Sequence, residues 1–172
     1  MAPNMTDANH YRFLSAPSAT VQIRLSVSTR GEPEVQIFGN RAGLLSLANV
    51  LLWLVANAWR REFLSLADLP FVHVEAPLAV CIRLTCTEPT GRDGSVSLLD
   101  HGAQYEWEVS EDDLKRIAVG IHRLVCDPEH EYDYLYMADG SVAQIHIRMT
   151  DAGQWFPSAP REPDAPADQP PE

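Results

Sequence analysis

The side chains able to do chemistry are scattered through this sequence, with one concentration. Six histidines occur: His10, His73, His101, His122, His130 and His146. No two stand at the HxxxH or HxH spacing that lets imidazoles share a metal. The densest polar cluster is Asp127–Pro128–Glu129–His130–Glu131–Tyr132–Asp133. Its carboxylates and imidazole could hold a cation or serve acid–base work. It lacks the glycine and the regular ligand spacing of a calcium loop, so a solvated acidic loop, or a docking surface for Lys and Arg, fits it better. Tyr132, Tyr134 and Tyr136 stand beside it, and tyrosine next to charge suits the anchors of protein interfaces. Asp112 and Asp113 form a second acidic group. Ser110 before them could be taken for a nucleophile, but helix capping accounts for it. Cys126 lacks the positive surroundings that activate a thiol. Gly39 and Gly43 bracket a helix start that could cradle an anion, or could simply make a tight turn. P-loop, GxGxxG, GxSxG and HExxH motifs do not occur. The expectation is no catalytic residue, no metal and no cofactor, with partner contacts at Asp127, Glu129, Glu131, Tyr132, Asp133 and Tyr134, and Asp112 and Asp113 next.

These residues are carried by a readable order of elements. From Thr20, Val21, Ile23, Leu25 and Val27 alternate with Gln22, Arg24, Ser26 and Ser28, the period of a half-buried strand. Arg30–Gly31–Glu32–Pro33 is a turn and Glu34–Phe38 resumes the alternation, which makes a hairpin. Asn40 is a good helix cap because its side-chain oxygen accepts from an orphan backbone N–H. Leu44, Leu47, Ala48, Leu51, Leu54 and Val55 then form one helical stripe, widened by Leu45, Leu52, Trp53 and Trp59, so this helix is expected to be central. Leu64–Leu69 reads as a short turn closed by Pro70. Strands are expected at Phe71–Glu75, Val80–Cys86, Ser95–Leu99 and Gln104–Val109. Ser110 caps a second helix whose first-turn carboxylates suit the positive end of the dipole. Its stripe is Leu114, Ile117, Ala118, Ile121, Leu124 and Val125. A final hairpin spans Tyr132–Tyr136 and Ser141–Met149.

The expected fold class is α+β, a mostly antiparallel sheet with two main helices packed on one face, because helices are few and links between strands are short. Each half reads as strand–strand–helix–strand, an order consistent with a pseudo-duplication. The expected domain layout is a loose leader over 1–19, one globular domain over 20–150, and an acidic tail over 151–172. Six of the thirteen prolines lie in that tail, a composition that cannot bury enough to order itself. The apolar run Leu44–Trp59 is short of the roughly 20 residues needed to span a bilayer. Three cysteines, an odd number without a CxxC pair, point to reduced thiols in the cytoplasm. Twenty-four acidic against thirteen basic residues give a net charge of −11. Such a surface repels nucleic acid and anionic membrane and attracts a basic partner.

The segment Val35–Gln36–Ile37–Phe38–Gly39–Asn40–Arg41–Ala42–Gly43–Leu44–Leu45–Ser46–Leu47–Ala48 resembles the small immunity proteins of bacterial polymorphic toxin systems. In those proteins the helix is followed by a short strand carrying a histidine. Phe71–Val72–His73–Val74–Glu75 stands in that place, with Glu75 at a shifted spacing, and Leu78–Leu84 matches the apolar strand after it. The resemblance covers about residues 35–85 and leaves 95–150 outside. It implies a cytoplasmic inhibitor that binds and neutralises a cognate, basic protein toxin. Two other readings stay open: a small hydrolase using His130 or His101 with a carboxylate, and a non-catalytic subunit of a larger assembly that offers its apolar helix to a partner.

Overall fold

A computed structural model describes residues 14–58, 63–85, 88, 91–99, 104–127 and 132–150. The elements run β1 (Val21–Val27), β2 (Pro33–Gly39), α1 (Arg41–Ala56), β3 (Phe63–Ser65), a 3-10 turn (Leu66–Asp68), β4 (Val72–Val74), β5 (Ala79–Thr85), β6 (Ser95–Leu99), β7 (Gln104–Ser110), α2 (Glu111–Cys126), β8 (Tyr132–Leu135) and β9 (Gln144–Met149). The α+β class stands. The strands form two sheets, ordered β4-β1-β2-β9-β8 and β3-β5-β7-β6. The expectation of a mostly antiparallel sheet is corrected, because both sheets are mixed. Hairpin partners are antiparallel, but β1–β4, β2–β9 and β5–β7 are parallel.

Parallel neighbours need a long connection between them; from β2 to β9 it passes through α1, α2 and every strand but β1, whereas from β5 to β7 it holds β6 alone. The β1–β2 hairpin, α1, β3 and β5 make one series; the β6–β7 hairpin, α2, β8 and β9 make another. Hairpin β1–β2 does not pair with its own β5 but with β9 of the second series. Hairpin β6–β7 pairs with β5 of the first. The two series therefore exchange their last strands, and β4 is an addition at the edge of the first sheet.

The caps align the two series. Asn40 Oδ1 accepts from Gly43 N at 2.7 Å, and Ser110 Oγ accepts from Asp113 N at 3.2 Å. Counted from these caps, Leu44, Leu47, Ala48, Leu51, Leu54 and Val55 occupy the same helical positions as Leu114, Ile117, Ala118, Ile121, Leu124 and Val125. All but Val55 are buried, and the two helices pack chiefly against each other. Between them and the inner faces of the sheets lies one apolar core, with Trp107, Ile37, Ile82 and Ile147 among its buried members.

The Gly39–Leu44 motif has a complete local explanation. Asn40 also takes Thr20 N on its Oδ1 at 3.2 Å and donates through Nδ2 to Ser18 O at 2.8 Å. A Cβ at Gly43 would overlap the Thr20 carbonyl, so only glycine lets that backbone come so close to the helix. Ala16 N donates to Ser46 Oγ at 3.1 Å. Residues 16–20 are thus tied across the start of α1. Among the described residues, no helix is long and apolar enough to cross a membrane.

Candidate functional site

Among the described residues, the predicted contacts do not gather into one patch. Asp112 is exposed at the first turn of α2 and pairs with Lys115 at 2.8 Å; that hydrogen bond, then the charge itself, raises the Lys115 pKa. Asp127 stands at the other end of the helix, about 22 Å away at 1.5 Å per residue. Asp133 is exposed on β8. In register it lies opposite Ile147, whereas Tyr132 and Tyr134 lie opposite Arg148 and His146. Alternate residues of a strand belong to opposite faces, which separates the acid from the two tyrosine positions. Glu129 and Glu131 lie outside the described residues, as do His101 and His130 of the hydrolase reading.

Asp113 is removed from the surface set, because its side chain is buried. Its Oδ2 accepts from the Ser110 hydroxyl at 2.7 Å while its own N–H returns to Ser110 Oγ. This reciprocal cap holds the helix N-terminus. Its Oδ1 faces Arg116 at 3.4 Å, and Arg116 reaches onward to buried Asp93 at 2.8 Å. Arg116 also donates to Arg92 O at 2.8 Å. Asp93 accepts the Tyr136 N–H on its carboxylate, gives its own N–H to Tyr136 O at 2.8 Å, and receives Trp107 Nε1 on its carbonyl at 2.7 Å. Arg116 and Asp93 were not legible as a pair, since they lie on separate elements. Together they lock the approach to β6, the helix and the end of β8 into one unit.

Beside this lock lies an open groove of about 450 Å³ between α2 and β8. Ile117, Ile121, Leu124, Leu135 and Ile147 supply apolar walls, and Asp93, Lys115, Arg116, Arg123 and Asp133 supply charge. At its rim Tyr136 is 72% exposed and Val119 46%. The cavity falls within the roughly 300–1,000 Å³ of ligand sites, but its open side suits a protruding side chain of another protein.

Two other polar arrangements serve the sheets. Across β1, β2 and β9, Arg24 Nε donates to Gln36 Oε1 at 3.0 Å, Gln36 Nε2 donates to Glu34 Oε1 at 2.7 Å, and His146 Nδ1 stands 3.2 Å from the same oxygen. The Arg24 guanidinium also lies over the Phe38 ring at 4.5 Å. On the second sheet Arg83 pairs with buried Glu106 at 2.8 Å. Cys81, in register with Glu106, has its thiol pKa raised by burial, an effect that a hydrogen bond with Ser65 partly offsets. Among the described residues, no group of three or more His, Cys, Asp and Glu is arranged to hold a metal ion. No family model matches this chain, and neither does any curated protein or solved structure.

Proposed function

We propose that this protein is an inhibitor of the immunity type, which binds a basic toxin in the cytoplasm of the producing cell through the surface around the α2–β8 groove. The observation that carries the reading is Tyr136, a largely exposed aromatic ring on a backbone fixed from both its N–H and its C=O by Asp93. A tyrosine on a fixed backbone has only its side-chain torsions to lose on binding, which suits such residues as interface anchors. The net charge of −11 speeds encounter with a cationic partner and selects against acidic ones. Asp133 lines the same groove as this anchor and is an exposed carboxylate.

Co-expression with toxin domains encoded beside this gene tests the reading, with growth as the readout. The wild-type chain is expected to restore growth and to retain the toxin on a column, with association slowing as salt rises. Tyr136→Ala is expected to weaken the complex about 30-fold or more, the effect of losing a central interface anchor. A wild-type chain that neither rescues growth nor retains any such domain would remove the proposal.

A further inference from the structure

The exchanged topology permits a residue-by-residue comparison of the two series, and it shows where the groove comes from. Ile37 and Trp107 stand equally far before their helix caps; Ile37 is in register with Ile147, and Trp107 with Ile82. Ile147 and Ile82 are thus equivalent. Their antiparallel neighbours are Asp133 and Leu64, so Asp133 holds the place of Leu64. Counted from the caps, Gly120 holds the place of Val50. Leu64 and Val50 are both fully buried. In the first series these positions belong to the core; in the second, a glycine and an exposed carboxylate leave the helix and the edge strand unsealed. A Cβ built at Gly120 would meet only Asp133 Oδ2, at 4.0 Å.

We infer that the groove is a socket for one lysine or arginine side chain of a basic partner protein, its stem along Ile121, Leu135 and Ile147 and its cationic head at Asp133. Charge complementarity favours this occupant: Asp93, Asp112, Asp113 and Asp133 stand against Lys115, Arg116 and Arg123, an excess of one negative charge. Lys115 is paired with Asp112, and Arg116 with Asp93 and Asp113. The Asp133 carboxylate makes no ion pair among the described residues, and neither does Arg123 on the next turn of the helix. An aliphatic stem bearing a charged head matches apolar walls on which Asp133 is the carboxylate outside the Arg116 ion pairs, with Arg123 at the exposed end of the helix turn. A neutral apolar side chain would leave that carboxylate facing a dry contact, and an acidic one would repel it.

The inference rests on the proposed binding of a basic protein, and the two are separable by experiment. The full chain is titrated with n-butylguanidinium and followed by amide NMR, with butyrate as the control. Saturable shifts are expected at Gly120, Ile121, Asp133 and Leu135 with the cation and none with the anion. Asp133→Asn, which keeps the shape, is expected to lower the cation's affinity at least 10-fold. Gly120→Val with Asp133→Leu, which installs the residues of the first series, is expected to abolish the shifts. Equal response to butyrate, or undiminished binding by Asp133→Asn, would overturn the socket. Cation binding by a chain that rescues no toxin keeps the socket and removes the toxin. Rescue at wild-type strength by the double variant keeps the inhibitor and removes the socket.

Discussion

Replacing Gly120 by alanine adds one methyl group in the middle of α2. Glycine inside a helix is about 0.8–1.0 kcal/mol less favourable than alanine, because its backbone loses more freedom on folding. At most positions a glycine kept at mid-helix repays that loss through close packing. At Gly120 it does not, since the added atom would sit at ordinary van der Waals distance from Asp133 Oδ2 and touch nothing else across the groove. The propensity gain is therefore retained, and Gly120→Ala is expected to stabilise the chain by about 0.8–1 kcal/mol. For a protein of this size that raises Tm by roughly 2–4 °C. Urea unfolding is expected to show a higher midpoint at unchanged slope. Asp133→Leu added to Gly120→Val buries two side chains and is expected to stabilise by about 2–4 kcal/mol, given about 1.5–3 kcal/mol for each fully buried aliphatic group and incomplete filling. The groove would then be a place where stability is surrendered for binding, a common exchange at functional surfaces. A neutral or destabilising Gly120→Ala would refute this reasoning, because it would mean that the carboxylate and the helix are in closer contact than the geometry allows.

Two further outcomes follow from the buried polar groups. Asp93→Ala leaves the Tyr136 N–H without its acceptor and Arg116 with only Asp113 and the Arg92 carbonyl; with Arg116 half exposed to water, a loss of about 1–3 kcal/mol is expected in urea unfolding, together with faster amide exchange at Tyr136. Cys81 has its pKa raised by burial above the ordinary thiol value of 9.0. The folded state therefore keeps its proton longer than the unfolded state. The stabilisation is fully present below pH 9.0 and is lost as pH rises through the folded pKa. Unfolding midpoints measured across the alkaline range are expected to fall more steeply for the wild type than for Cys81→Ala, and identical slopes would refute the assignment.

Local structure was largely legible in the sequence. The alternation from Val21, the stripes from Leu44 and Leu114, and the caps Asn40 and Ser110 reflect periodicity and backbone satisfaction, which act over a few residues. Which strand lies beside which does not. A period of two names the buried face of a strand and says nothing of its neighbour, so the exchange of β5 and β9 left no trace in the pattern. The repeat between the halves shows in the order of elements and not in the residues, because Leu, Ile and Val substitute freely in a core and share no motif. Asp113 had a signal, the Ser-x-x-acid spacing of a reciprocal cap. Gly120 had one too, as an unexplained glycine within a helical pattern. Asp93 had none, since its partners Arg116 and Tyr136 are brought to it only by the tertiary fold.

The pairing of β2 with β9 joins nearly the two ends of the described chain. During synthesis, the first hairpin and α1 leave the ribosome long before their neighbour exists, and β2 waits with one edge unmatched until residue 149 is made. The first sheet cannot close as a local event, so its assembly is governed by contacts distant in sequence, the class that forms slowly, whereas the second draws all its strands from residues 63–110. Cutting the chain between β5 and β6 would yield two pieces, each lacking a strand that only the other can supply, and mixing them would regenerate the whole through mutual completion.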